Sequence, residues 1–280
     1  MCTKLNVHIL AQILYNLTVK NQEDGGYLSE MMNSKQLIEI ALLAGEIMLT
    51  NGAETHRVED TMVRICSRGK LKLAESFVIP TVIVATVADE NNNLVTVSKR
   101  IKSRTIDLNK ISLVNQFSRD FQVKDFTYEQ AIEILNKIKY KKGYDSYLLP
   151  FAAALVCCFS TILFGGKLKD AISAFFVGFV TQTILNFMNS KNFSYFISYI
   201  IGGAITASIA IITVNINIGV HLDKIIIGSV MIMTPGVAIT NAIRDTIAGD
   251  LLSGVARGVE AFLIAVFIAT GAGIALSLFR

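Results

Sequence analysis

Charge is what the second half of this 280-residue chain has least of. From Tyr147 to Arg280 there are seven Lys and Arg and five Asp and Glu, against 19 and 17 in residues 1–146. So sparse a set excludes a water-facing surface for that half, and a mean hydropathy of +0.51 with 52% hydrophobic residues agrees. A basic excess is also missing. The net charge of +4 divides evenly between the halves, which excludes nucleic acid as a partner. Cysteine is scarce: Cys2, Cys66, Cys157 and Cys158 form no CxxC and have no His at ligand spacing. No disulfide framework is expected, and the vicinal Cys157 and Cys158 suit small hydrophobes on a helix. The chain lacks a P-loop, a nucleophile elbow and a GxGxxG, which argues against ATP-driven work and leaves no cofactor or metal to expect.

What is there divides into two domains. Residues 147–280 read as a transmembrane domain with spans at about 147–164, 171–189, 193–214, 225–243 and 251–279. A hydrocarbon core about 30 Å thick needs roughly 20 helical residues, so each can cross, the first two only just. Lys137, Lys139, Lys141, Lys142, Lys191, Arg244 and Arg257 fall on one side, and Lys167, Lys169, Lys224 and Arg280 on the other. That bias predicts a cytoplasmic N-terminal domain. Gly254-x-x-x-Gly258 permits close helix approach, within this bundle or with a second copy or another subunit.

The stretch "MTPGVAITNAIRDTIAGD", residues 233–250, interrupts this oily half. Pro235 removes a backbone donor and Gly236 adds freedom, which predicts a broken helix of the kind that binds solutes near the membrane midplane. Thr234 and Asn241 add hydrogen-bonding groups. Arg244, Asp245, Asp250, Arg257 and Glu260 supply five of the half's twelve charges, and ionisable groups at membrane depth mark substrate or proton paths. Gln182 and Asn186, four apart on the second span, either join helices or line a path. A packing kink and boundary loop charges are the plain alternative.

Residues 34–142 read as a small α+β domain, and residues 1–33 as a leader or short helix. Ser34 is the expected N-cap of a helix whose apolar face includes Leu37, Ile38, Ala41, Leu42, Gly45, Met48 and Leu49, ended by Asn51-Gly52. A second helix is expected from Glu54 to Arg68, with Val58, Met62 and Ile65 inward. "ESFVIPTVIVATVAD" and "LVTVSKRI" predict a β-hairpin with Pro80 at an edge or bulge. Helices at Asn109–Arg119 and Tyr128–Lys141, the latter capped by Thr127, complete the domain. Its densest polar stretch, "NGAETHRVEDTM", holds Glu54, His56 and Asp60, which lack a third firm ligand for a metal and suit an exposed helix start equally well.

"LLAGEIMLTNGAETHRVEDTM", "FVIPTVIVAT" and "TPGVAITNAIRDTIAGDLLSGVARGVEAF" together resemble the threonine/serine exporter family, and more closely the longer component of its split two-component form. The resemblance runs from about Ser34 to Arg280. It implies a polytopic α-helical membrane protein of about five transmembrane helices with an N-terminal cytoplasmic α+β domain, in the bacterial inner membrane. It implies secondary, proton-driven export of threonine and serine or of a dicarboxylate such as succinate, with a small membrane partner supplying the other membrane half and a homo-oligomer as a further option. The family pattern falls on Gly52, Ala53, Glu54, Arg57, Val58 and Glu59, and on Pro235, Gly236, Asn241, Asp245, Gly249, Asp250, Gly254 and Arg257. On this view Arg244 or Arg257 holds a carboxylate and Asp245, Asp250 or Glu260 carries the proton. A hydrolase working through Glu54, His56 and Asp60, or a ligand-sensing regulatory domain, are the competing readings.

Overall fold

Residues 32–143, 147–191 and 193–279 are described in a computed structural model of the chain; the expected leader lies outside them. Helix α1 (Ser34–Thr50) opens on a capping box, in which the Asn33 side chain accepts from the Gln36 amide at 2.8 Å and Gln36 returns a bond to the Asn33 amide at 3.0 Å. Asn33 is therefore the N-cap and Ser34 the first helical residue, because the Asn-x-x-Gln spacing satisfies two orphan amides at once. Ile40, Ala44 and Ile47 are buried along with the expected face, except that Leu42 is only half-buried. The stripe is this broad because α1 is the central element of the N-terminal half, surrounded rather than lying on a surface.

Around α1 pack α2 (Thr55–Cys66), a three-stranded antiparallel sheet, α3 (Leu108–Val123) and α4 (Tyr128–Lys139). Val58, Met62 and Ile65 of α2 face inward as their spacing requires. The sheet is a meander in the order β1 (Leu73–Ile79), β2 (Val82–Ala88), β3 (Leu94–Arg100), with Ile79 opposite Val82 and Ala88 opposite Leu94. Two strands were expected where three are seen. Pro80 and Thr81 sit in the tight connection between β1 and β2, so Pro80 makes a turn instead of marking an edge or a bulge. Ile83, Ala85 and Val87 alternate into the core with Val78 of β1. Asp107 caps α3, and Thr127 caps α4 with Gln130 in a second capping box.

The C-terminal half is helical throughout: α5 (Leu148–Leu163), α6 (Leu168–Ser190), α7 (Tyr195–Asn215), α8 (Leu222–Val230), a 3₁₀ turn Met231–Met233, α9 (Gly236–Ile247) and α10 (Leu251–Leu278). Helices α6, α7 and α10 are long and apolar enough to cross a membrane, and α8 with α9 make a fourth such element bent by 59° at the break. The chain is a membrane protein. Helix α5 is shorter than a span needs, since its 16 residues reach about 24 Å.

Packing here depends on missing side chains. A Cβ on Gly271 of α10 would stand 1.9 Å from the Ile200 carbonyl oxygen, and one on Gly203 of α7 would stand 2.3 Å from the Ile268 carbonyl oxygen. The backbones of α7 and α10 thus touch directly. Gly254 does the same for the α9–α10 hairpin, lying against Thr246 and the Ala242 carbonyl, whereas Gly258 has open space where a Cβ would go. So the Gly254–Gly258 pair does not act as one motif within this chain.

Candidate functional site

Two stretches about 190 residues apart meet at one place. From the N-terminal half comes the turn after α1. Gly52 adopts φ +91°, a left-handed conformation that glycine takes without strain. The turn is pinned from behind, since the Thr105 amide donates to the Thr50 carbonyl at 2.7 Å and the Asp107 amide to the Asn51 carbonyl at 3.1 Å. The segment Gly52–His56 is thereby directed outward, ending on the first turn of α2, whose leading amides have no helical partner.

From the C-terminal half comes the elbow between α9 and α10. Asn241, Ala242 and Asp245 are the buried residues of α9, at the spacing of one helix face. Gly249, at φ +96°, ends the helix, and the Asp250 amide folds back to the Asp245 carbonyl at 2.8 Å. That turn sets Asp250 beside Asp245 and starts α10, which brings Arg257 up from its second turn.

The contact is dense. Asn241 Nδ2 donates to the Gly52 carbonyl at 2.8 Å, and Arg257 Nη2 to the Ala53 carbonyl at 2.6 Å. The Thr55 amide donates to Asp245 Oδ1 and the Thr55 hydroxyl to Asp250 Oδ2, each at 3.1 Å. Arg244 pairs with Glu54. Asp245 thus sits at the N-terminus of α2, where an anion is favoured by the free amides and the helix dipole. Its other oxygen, Oδ2, lies 3.0 Å from Arg257 Nε, with both side chains almost wholly buried. The N–H points off that line, so Asp245 Oδ2 and Arg257 Nε form an ion pair without a hydrogen bond, and His56 Nδ1 is also buried without one.

His56 lies 4.0 Å from Asp245 Oδ1 and 3.9 Å from Glu54 Oε2. His56, Asp245 and Asp250 bring one ligand atom each within 4.8 Å of one another, a nitrogen-and-carboxylate set that suits a divalent cation. The guanidinium of Arg257 against Asp245 competes with that use.

Other expected site residues are placed elsewhere. Glu260 pairs with Arg104 of the N-terminal half at 2.9 Å. Gln182 and Asn186 bond to each other at 2.8 Å, half-buried on α6. Thr234 is exposed, its hydroxyl turned to the Val230 carbonyl at 3.4 Å, and Pro235 and Gly236 form the break itself. Arg57 reaches toward Asn115, whose oxygen faces the guanidinium at 3.2 and 3.3 Å once the amide is oriented to suit. Glu59 accepts from the Val78 amide at 2.8 Å. Burial holds its carboxyl above the ordinary range, and the carboxylates of Asp250 and Asp60 push the same way. Glu59 and Asp60 also border an open cavity of about 710 Å³, lined by Arg64, Glu75 and Ser76 among others.

One group was missed from sequence. Asp170, fully buried at the start of α6, accepts from the amides of Val220 at 2.7 Å and His221 at 2.9 Å, and lies 2.8 Å from His221 Nδ1. Its other bond, from the Lys167 amide at 2.8 Å, belongs to a helix cap, and an acidic residue three positions into a helix was the available signal.

A family model described as "Putative threonine/serine exporter" matches residues 39–279. Among similar chains is a "Probable threonine/serine exporter" of Mycobacterium tuberculosis, 19% identical over 247 residues, which are 88% of this chain and 46% of that protein. Another is a "Probable succinate transporter subunit YjjP" of Klebsiella aerogenes, 23% identical over 233 residues, or 82% of this chain and 89% of that one. The chain therefore spans about half the length of the first relative and most of the second. No solved structure matches it. Since the family match runs through both the Gly52–Asp60 stretch and the α9–α10 elbow, this chain belongs to the threonine/serine exporter family.

Proposed function

We propose that the chain is one component of a secondary exporter of small polar metabolites, threonine and serine or a dicarboxylate such as succinate. On this reading it sits in the bacterial inner membrane with residues 34–142 in the cytoplasm, is driven by protons, and works with a small membrane partner. The observation that carries the proposal is the buried Asp245–Arg257 pair beside a broken apolar helix. Buried charge at such a place costs several kcal/mol unless paired, and transport is the use that repays it.

The residues suggest the cycle. With Asp245 ionised, Arg257 is held in the pair. A proton arriving on Asp245 cancels the attraction and frees the guanidinium for a cargo carboxylate, with Arg244 nearby and exposed. Asp250, which accepts from the hydroxyl of the same Thr55 whose amide donates to Asp245, is the second proton acceptor. Glu260 serves instead to dock the N-terminal half through Arg104.

Efflux of labelled threonine, serine and succinate is the test, in cells lacking their own exporters, with this chain expressed alone and with a small membrane protein of the same family. Export is expected only with the partner, and Asp250→Asn abolishes it while membrane insertion persists. Wild-type rates from both Asp245→Asn and Asp250→Asn would remove the elbow from the pathway.

A ligand-sensing role for the N-terminal half is favoured by the cavity beside Glu59 and Asp60, because those residues share α2 with the Thr55 contact. It is refuted if deleting that half leaves assembly and the substrate dependence of export unchanged.

A further inference from the structure

Resting on that functional reading, we propose that the Gly52–His56 segment is a tethered stand-in for the cargo, and that export requires its withdrawal from the elbow. Thr55 is wholly buried, with its amide on Asp245 and its hydroxyl on Asp250. Next to it, the Glu54 carboxylate lies on Arg244. The segment therefore offers the elbow an N–H, a hydroxyl and a carboxylate, which are the groups of a free hydroxy amino acid. Two more polar side chains of the elbow are engaged as well, Asn241 by the Gly52 carbonyl and Arg257 by the Ala53 carbonyl.

Two features favour a replaceable occupant over a permanent brace. The fit is incomplete: His56 Nδ1 of the segment is buried 4.0 Å from Asp245 Oδ1, too far for a hydrogen bond, while Asp245 Oδ2 meets Arg257 Nε within the elbow. The donor to Asp245 is also a neutral amide. A free ammonium adds a full positive charge to the same bond, so a true amino acid competes with the segment for that carboxylate. Until it arrives, the tether keeps the segment at high effective concentration and the site closed. Cargo ammonium and Thr55 amide then compete for one carboxylate, which couples opening to loading.

Hydrogen exchange on the full chain in lipid nanodiscs tests this, with L-threonine, L-serine and succinate as probes. The Thr55 amide is expected to exchange about tenfold faster when a probe saturates the protein, as its bond to a charged acceptor is lost. In parallel, Thr55→Val, which keeps the shape and drops the hydroxyl, should bind the same probe about tenfold more tightly, while Thr55→Ser binds as wild type. A probe that binds without changing Thr55 protection overturns the stand-in and leaves the pathway reading intact. Weaker binding by Thr55→Val does the same, since Thr55 would then support the site and not compete for it. If wild type and Thr55→Val bind none of the three probes, the functional reading fails and the stand-in falls with it.

Discussion

Replacing Asp245 with Asn separates charge from shape at the centre of the site. The amide keeps the volume and can still accept from the Thr55 N–H, now 3.1 Å away. What it removes is the negative charge 3.0 Å from Arg257 Nε, where the two side chains are 0% and 7% exposed. Arg257 stays behind as a buried cation whose other assigned contact is the Ala53 carbonyl. Stranding one member of a buried pair costs about 3–5 kcal/mol. Arg257→Met should cost a similar amount by stranding Asp245. The double variant, which strands neither, should fall short of the sum by about 2–3 kcal/mol. Unfolding of the full chain in detergent measures all four proteins, and with no Trp and eight Tyr, tyrosine fluorescence reports it. Two single losses that simply add to within about 0.5 kcal/mol refute the reasoning, because the groups would then not act as a pair.

Two further outcomes follow from other parts of the molecule. Gly271→Ala places a methyl 1.9 Å from the Ile200 carbonyl oxygen, so α7 and α10 must separate, and the loss is about 1–3 kcal/mol by thermal melting; an unchanged melting temperature means the helices do not touch there. Glu59 has a raised carboxyl pKa, so its contribution to stability is full below the unfolded value and is lost as pH rises through the folded one. The stability of wild type relative to Glu59→Gln is therefore expected to fall as pH rises above the ordinary glutamate value of about 4.3 in a denaturant series, and a flat difference contradicts the burial argument.

Local chemistry was legible wherever a residue acts on its neighbours in the chain. Pro235-Gly236 announced the break because a missing donor and a missing Cβ act within one turn. Thr127 announced its cap for the same reason. The cap of α1 was placed one residue late, on Ser34, because Ser34 is as good a capping residue as Asn33 and only the Gln three positions beyond Asn33 decides between them. Pro80-Thr81 was misjudged because a two-residue turn inside a long β-branched run leaves no drop in hydrophobicity to mark it. Both polar stretches of the site, Gly52–Asp60 and Thr234–Glu260, stood out as costly in their settings. That they are one site was not readable, since hydrophobic periodicity carries no information across 190 positions. The same limit hid His221 from Asp170, which lie 51 positions apart.

The bonds of Asp170 root the start of α8 against α6, and the contacts of Asn241, Arg244 and Asp245 fasten the far end of α9 to the other half of the molecule. Between these two anchors the backbone is interrupted at Thr234–Pro235. Such an arrangement is a lever with a fixed root, a single joint and a loaded tip. Helix α9 has 12 residues, so its arm is about 18 Å long. A change of about 10° at the joint carries the tip about 3 Å, which is the length of one hydrogen bond. Small angular freedom at the proline is thus enough to break both contacts between the elbow and Thr55 at once, with no helix unwinding.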